Sequence, residues 1–273
     1  MNPDHMTAGI RDRLSELKNI IRDMGTVAVA FSGGVDSTFL LAVAHEVLGD
    51  GCVAVTAESP AFPQHESDAA QAFCSGRNIR LIRVTADVMS DPLFVSNPKD
   101  RCYHCKKRIF AMMAEVAGEN GAEHIVEGTN KSDEGDYRPG MRALQELGVR
   151  SPLREAGLTK QDIRELSREM GLDTWDMSSF ACLATRIPYG QRITEELLSR
   201  IGNAESVLRD MGLRQYRVRA HGDLARIEVM EDDIPFVISN RDVIYERIKA
   251  AGFVYVTVDL AGYRTGSMND VLS

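Results

Sequence analysis

TVAVAF (26–31), SGGVDS (32–37) and TFLLAVAHEVL (38–48) follow one another without a break. The first segment is a short, nearly all-apolar, β-branched run, the pattern of a strand buried on both faces of a parallel sheet. The third reads as an apolar helix. Between them, Gly33 and Gly34 let the backbone come close to an anion. Free N–H groups and the positive end of the following helix then make a phosphate cradle. Ser32 and Ser37 add hydroxyl donors, and Asp36 suits the loop itself or a magnesium ion. The segment is not the GxxxxGK loop of kinases, so it predicts a different nucleotide site. The competing reading is a Gly-rich turn with no ligand.

Working outward, residues 10–24 place Ile10, Leu14, Leu17, Ile20 and Ile21 at helical spacing, and Gly25 ends that helix. Downstream, strands are expected at 52–59, 79–87 and 123–129, with a fifth at VRSPL (149–153). Helices are expected at 64–77, from about 103 to 117, over MRALQEL, and at 158–171 with Thr159 as N-cap. This alternation predicts an α/β fold with a doubly wound parallel sheet, whose ligands sit at the carboxyl ends of the strands. The pattern changes near residue 190: a helix at 194–212, a hairpin of 215–221 and 224–230, a helix at 240–251 and a strand at 253–260. We therefore expect a nucleotide domain over 1–190 and a small α+β domain over 191–273.

The chain has 273 residues, 44% hydrophobic and 26% charged, which suits a globular protein with a sizeable core. Its net charge of −8 disfavours a nucleic-acid partner and favours a small-molecule substrate. No apolar run suggests a signal peptide or a membrane span, which predicts a cytoplasmic protein. Five cysteines, an odd number, argue against a disulfide framework.

Cys102 and Cys105 form a C-x-x-C in DRCYHCKKRIF, at the start of a helix and beside Lys106, Lys107 and Arg108. That setting favours thiolates. The pair suits a zinc half-site, with His104 or Cys182 as further ligand, a redox dithiol, or two ligands of an iron–sulfur cluster. Three thiolates on a 4Fe-4S cluster leave one iron open to carry a sulfide. Cys182, in SSFACLATRIPYG, reads equally as a core thiol. Cys52 and Cys74 are assigned to packing, as is Trp175. In the loop after the 123–129 strand, Glu127, Asp133, Asp136 and Arg138 suit magnesium, substrate or ribose, or a solvated loop. Arg186 suits a phosphate or carboxylate, or a salt bridge. Arg217 and Arg219 share one strand face opposite Arg226 and Glu228. They suit a substrate phosphate, or a charged solvated sheet face. Tyr263 and Arg264 could close over a substrate.

SGGVDS in this setting resembles the PP-loop ATP pyrophosphatases, which cleave ATP between the α and β phosphates and adenylate a substrate. That resemblance puts adenine near Thr56, Glu58 and Ser59. Further segments resemble the LarE family of pyridinium-3,5-biscarboxylic acid mononucleotide sulfurtransferases, of nickel-pincer cofactor synthesis: TAESP (56–60), DRCYHCKK (100–107), EGTN (127–130), DYRPG (136–140), SPL (151–153), ACLATRIPYG (181–190), RVRAHGDLARIEV (217–229) and DLAGYRTGSMN (259–269). The family implies ATP and Mg2+, an adenylated carboxylate, and sulfur delivered at the position of Cys182. Members with one cysteine sacrifice its sulfur and are left with dehydroalanine. Members with three, matching Cys102, Cys105 and Cys182, are thought to use a 4Fe-4S cluster, and this chain has all three. Zinc, or no metal, are the alternatives. The family also implies a homo-oligomer, and the sulfur donor stays unknown. Competing functions are a PP-loop tRNA thiolase, which needs a basic surface, an ammonia-using NAD or GMP synthetase, which needs no cysteine trio, and a non-catalytic regulatory nucleotide-binding module.

Overall fold

The computed structural model describes residues 3–134, 139–177 and 181–268, with side chains from residue 9 onward. In chain order the first elements are α1 (Pro3–Met24), β1 (Val27–Ala30), α2 (Val35–Leu48), β2 (Cys52–Glu58), α3 (Gln64–Gly76), β3 (Leu81–Thr85), α4 (Pro92–Val95), α5 (Arg101–Glu119) and β4 (His124–Val126). There follow α6 (Pro139–Glu146), α7 (Pro152–Glu155), α8 (Lys160–Glu169), α9 (Glu195–Asp210), β5 (Tyr216–His221), β6 (Leu224–Val229), α10 (Ile234–Ser239), α11 (Arg241–Ala250) and β7 (Tyr255–Val258). Two compact units result: 1–59, 64–86 and 102–179 make the first, and 60–63, 87–101 and 180–273 the second.

The first unit is an α/β fold around a parallel sheet of order β3-β2-β1-β4. Val27, Ala28 and Val29 of β1 are buried, as a central strand of β-branched and small residues should be. Helix α2 adds Phe39, Leu40, Leu41 and Val43 to the core, and α1 adds Ile10, Leu17 and Ile21 from one stripe. Gly25 ends α1 at φ 71, a conformation that suits glycine. The N-cap expected at Thr159 is present as a reciprocal box with Asp162.

The fifth strand expected at 149–153 is a single parallel bridge between Arg150 and Val126. Pro152 has no N–H for a ladder and starts α7 instead. The Ser151 amide donates to Glu155 Oε1 at 3.1 Å rather than to a strand.

The second unit holds a three-stranded sheet of order β5-β6-β7, with β5 and β6 antiparallel and β7 parallel to β6. The hairpin turns at Gly222, φ 62. Helix α9 starts at Thr194, whose side chain accepts from Leu197 N. The short helices α4 and α10 fall in stretches for which the sequence predicted no helix or strand. Each carries a proline in its first turn, which starts a helix without loss of a bond. No described helix is long and apolar enough to cross a membrane.

Candidate functional site

In the first unit the loop leaves β1 at its carboxyl end and enters α2. Gly33 takes φ 75, and Gly34 is the N-cap of α2 with no side-chain bond to the helix. The first-turn amides are therefore left for an anion, reinforced by the helix dipole. Ser32 and Ser37 lock the loop. Their hydroxyls lie 3.1 Å apart, the Ser32 amide donates to Ser37 Oγ at 3.3 Å, and Ser37 Oγ donates to Gly34 O at 3.2 Å.

Asp36 stands beside this cradle. Its Oδ2 pairs with Lys160 Nζ at 2.5 Å, and its Oδ1 accepts from Asn130 Nδ2 at 3.3 Å. Burial pushes the Asp36 carboxyl above the usual aspartate range, Lys160 pulls it back, and Asp133 adds to the rise. Gly128 makes room for this contact: a Cβ there would lie 3.0 Å from Ser37 N and 3.1 Å from Asp36 Cβ. Glu127 is buried and accepts from Ser151 Oγ at 2.5 Å and from Thr129 Oγ1 at 2.8 Å. It is a fixed carboxylate rather than a solvated loop residue. Asp133 closes a reciprocal cap with Asn130. At the end of β2, Thr56 is buried, while Glu58 accepts from Ser67 Oγ at 2.8 Å and pairs with Arg83 at 3.0 Å. Trp175, assigned to packing, is 38% exposed and has the Arg168 guanidinium 5.2 Å from its ring centre.

Cys102 and Cys105 lie half-buried, one turn apart at the start of α5 in the first unit. Lys107 points to Glu146 at 2.7 Å and Tyr103 at 3.0 Å, so its charge is engaged there. Cys52 and Cys74 are buried, and burial pushes their thiols up to about 12 and about 11. As ligands for a metal or cluster, the Cys102–Cys105 pair fits two positions. Among the described residues no group of three His, Cys, Asp or Glu is gathered to hold a metal ion. Magnesium asks less, because one carboxylate plus substrate phosphates suffices, and Asp36 is the right kind of donor.

In the second unit Cys182 precedes a 3-10 turn at Leu183–Arg186. Arg186 is fully buried and clasps Glu205 twice, at 2.8 and 3.0 Å. It also donates to Ala181 O at 2.6 Å and Cys182 O at 3.2 Å. The same segment is pinned from residues 87–101. Asn97 Nδ2 donates to Pro188 O at 2.8 Å, and Arg101 donates to Ala184 O at 3.1 Å and to Asn97 Oδ1. Strand β5 is buried through Ala220, so Arg217 and Arg219 do not form a solvated face. Arg219 binds Glu228 at 2.8 and 3.0 Å, Thr185 O at 3.0 Å and Ser267 Oγ at 2.9 Å. Arg226 takes the other oxygen of Glu228 at 2.9 Å. Arg217 lies 5.2 Å from the ring centre of Tyr263. Burial, then the Arg186 charge, lowers its affinity for a proton.

Arg138 and Asp136 lie outside the described residues. The sequence reading missed Gly128, Ser151, Lys160, Asn97, Arg101 and Glu205. Glu205 had a signal: it stands on the apolar row Leu198, Ile201, Leu208 of α9, where a lone carboxylate demands a buried cation.

A glycine loop and uncapped helix at the carboxyl end of a parallel sheet, without the kinase lysine motif, place the chain in the PP-loop class of ATP-handling α/β proteins. One component of the glutamine-hydrolysing GMP synthase of Archaeoglobus fulgidus, 24% identical over 60% of this chain and 56% of its own, fits that class. No family model matches the chain. The pyridinium-3,5-bisthiocarboxylic acid mononucleotide synthase of Lactiplantibacillus plantarum is 38% identical over 267 residues, 97% of either chain. An uncharacterised protein of Synechocystis sp. is also 38% identical, over 97% of this chain and 99% of its own. The chain belongs to the LarE family of sulfurtransferase enzymes.

Proposed function

We propose that the chain uses ATP and magnesium to adenylate a carboxylate of pyridinium-3,5-biscarboxylic acid mononucleotide, releasing pyrophosphate, and then replaces AMP with sulfur. What supports this is the anion cradle at Gly33, Gly34 and the start of α2, with the Asp36 carboxylate beside it. Bound magnesium would screen the phosphates. The cradle amides and the Ser32 and Ser37 hydroxyls hold the polyphosphate, and Thr56 and Glu58 border the adenosine. Glu127 and Arg138 serve the ribose or substrate.

A substrate oxygen bonds to the α-phosphorus and pyrophosphate leaves. A sulfur nucleophile then attacks the acyl carbon, and the electron pair departs with AMP. Cys182 is the residue we assign to that sulfur. Arg186 acts through it, as a positioning residue that fixes the carbonyls of Ala181 and Cys182. Arg217 and Arg219 supply positive potential for the substrate phosphate. We further propose that Cys102, Cys105 and Cys182 together take the 4Fe-4S cluster of the three-cysteine type. Their number and the thiol pair on one helical turn support it.

Most of the exposed large apolar side chains among the described residues lie between 230 and 260, including Phe236, Ile238, Val243, Val254, Tyr255 and Leu260. They support a homo-oligomer, which light scattering tests.

The deciding experiment follows AMP, pyrophosphate and thiocarboxylate in protein purified without oxygen, with iron and sulfide assayed in the same sample. The native chain should form all three products. Cys182→Ala should keep pyrophosphate release and lose thiocarboxylate to background. Thiolation by that variant at the native rate sinks the role of Cys182. About four irons per chain with matching sulfide supports the cluster. Metal-free protein that loses one sulfur per turnover replaces the cluster with a sacrificial Cys182.

A further inference from the structure

We propose that Lys160 is the cation that takes up the charge building on pyrophosphate as it leaves, and that Asp36 holds it ready. This rests on the adenylation reading above. In that step the substrate oxygen bonds to the α-phosphorus, the bond from that phosphorus to the α,β-bridging oxygen breaks, and the electron pair leaves on pyrophosphate. The ammonium stabilises that pair by its charge and needs to give up no proton.

Three observations lead to Lys160. Its ammonium reaches the second helical residue of α2, at 2.5 Å from Asp36 Oδ2, and so sits beside the amides that form the cradle. Its backbone is fixed. Lys160 is the first residue of α8 behind the Thr159 cap, its amide donates to Ser132 Oγ at 3.0 Å, and Lys131 N donates to Leu158 O at 2.8 Å. Only the side chain is left to move. Lastly, Arg164 lies one turn further along the same side of α8 and is felt electrostatically by Asp36. Its guanidinium donates to Met177 O at 3.0 Å, so Arg164 adds a longer-range charge while Lys160 is the cation bonded to Asp36 of the loop.

A structural role for the pair accounts for less. Both side chains are partly buried, 26% exposed for Lys160 and 25% for Asp36, and the loss of water around such a pair offsets much of its attraction. Burial also works against the charge on Asp36. A residue placed only for stability has no reason to sit at the phosphate loop.

The test compares Lys160→Met and Lys160→Arg with the native full-length chain. Single-turnover pyrophosphate release is measured at saturating ATP with the carboxylate substrate, and binding of α,β-methylene-ATP is measured separately by calorimetry. Lys160→Met should lower release by about 100-fold while nucleotide affinity falls less than about fivefold. Lys160→Arg should recover at least about tenfold of that loss. Release by Lys160→Met within about threefold of native overturns the proposal while leaving the adenylation reading intact. A loss matched by an equal loss of nucleotide affinity, with no recovery in Lys160→Arg, makes the residue structural and also overturns it. A native chain that releases no pyrophosphate with this substrate overturns the adenylation reading first, and this proposal with it.

Discussion

The phosphate loop of the first unit and the arginine cluster of the second are both electropositive, and they are built in opposite ways. The loop takes its charge from the backbone, through Gly33, Gly34 and the uncapped start of α2. The links among Ser32, Ser37 and Gly34 that hold it are neutral, at 3.1 and 3.2 Å. The cluster takes its charge from buried guanidinium groups, Arg186, Arg217 and Arg219, set against Glu205 and Glu228. A helix terminus can stay open to water at little cost. A guanidinium out of water is costly unless paired and fully hydrogen-bonded. The first region is therefore free to receive a ligand, while much of the second is spent on holding itself and the Cys182 segment in place.

Glu205→Gln bears on that contrast most heavily. It keeps the shape and removes the charge that matches Arg186, and it disturbs the acceptor of the Val218 amide, 3.0 Å away. Loss of one partner of a buried pair should destabilise the chain by about 3 kcal/mol, read from denaturant unfolding of the second unit. Stability within about 1 kcal/mol of native means the cluster tolerates unmatched charge, and the contrast between the two regions fails.

Gly128→Ala attacks the other region without touching a charge. The added Cβ meets Ser37 N and Asp36, main-chain and Cβ atoms of a helix that cannot swing aside. Overpacking of this kind costs ~1–3 kcal/mol, and the shift falls on the cradle. Pyrophosphate release should drop by about tenfold with the fold intact by circular dichroism. Native rates would show that the loop adapts, and that its geometry is less fixed than its hydrogen bonds suggest.

The same contrast explains what was legible in the sequence. SGGVDS encodes its site locally: strand, glycines, hydroxyls and helix follow one another, so the loop and the α/β fold could be read directly. Thr159 as N-cap is equally local. VRSPL gives only a bridge at Arg150, because Pro152 has no amide for a ladder and starts α7. Arg186, Arg217 and Arg219 were visible as charges, but their partners come from α9, β6 and the tail near Ser267, so burial could not be told from solvation. Lys160 was hidden for the same reason: nothing local says that the first residue of α8 reaches back to Asp36.

Asp36 is where the two logics meet, a charged side chain inside a backbone-built site, and it carries the smallest expected effect. Burial raises its pKa above the usual value, and Asp133 raises it further; Lys160 and Arg164 lower it, and Asn130 donates to it. The signs separate stability from binding. A carboxyl whose folded pKa is raised holds its proton more tightly when folded, so its contribution to stability is complete below the unfolded pKa of about 3.9 and is lost as pH rises through the folded pKa. Magnesium-nucleotide binding needs the carboxylate, so it should weaken on acidification, starting at a higher pH than an ordinary aspartate allows. Lys160→Met removes a lowering influence and should move that midpoint upward. Affinity for α,β-methylene-ATP with magnesium, measured from about pH 4 to 8, reads both. A midpoint at the ordinary aspartate value, or one that Lys160→Met leaves unmoved, would show that Asp36 is as wet as the rest of the loop. The buried-charge logic would then end at the second unit.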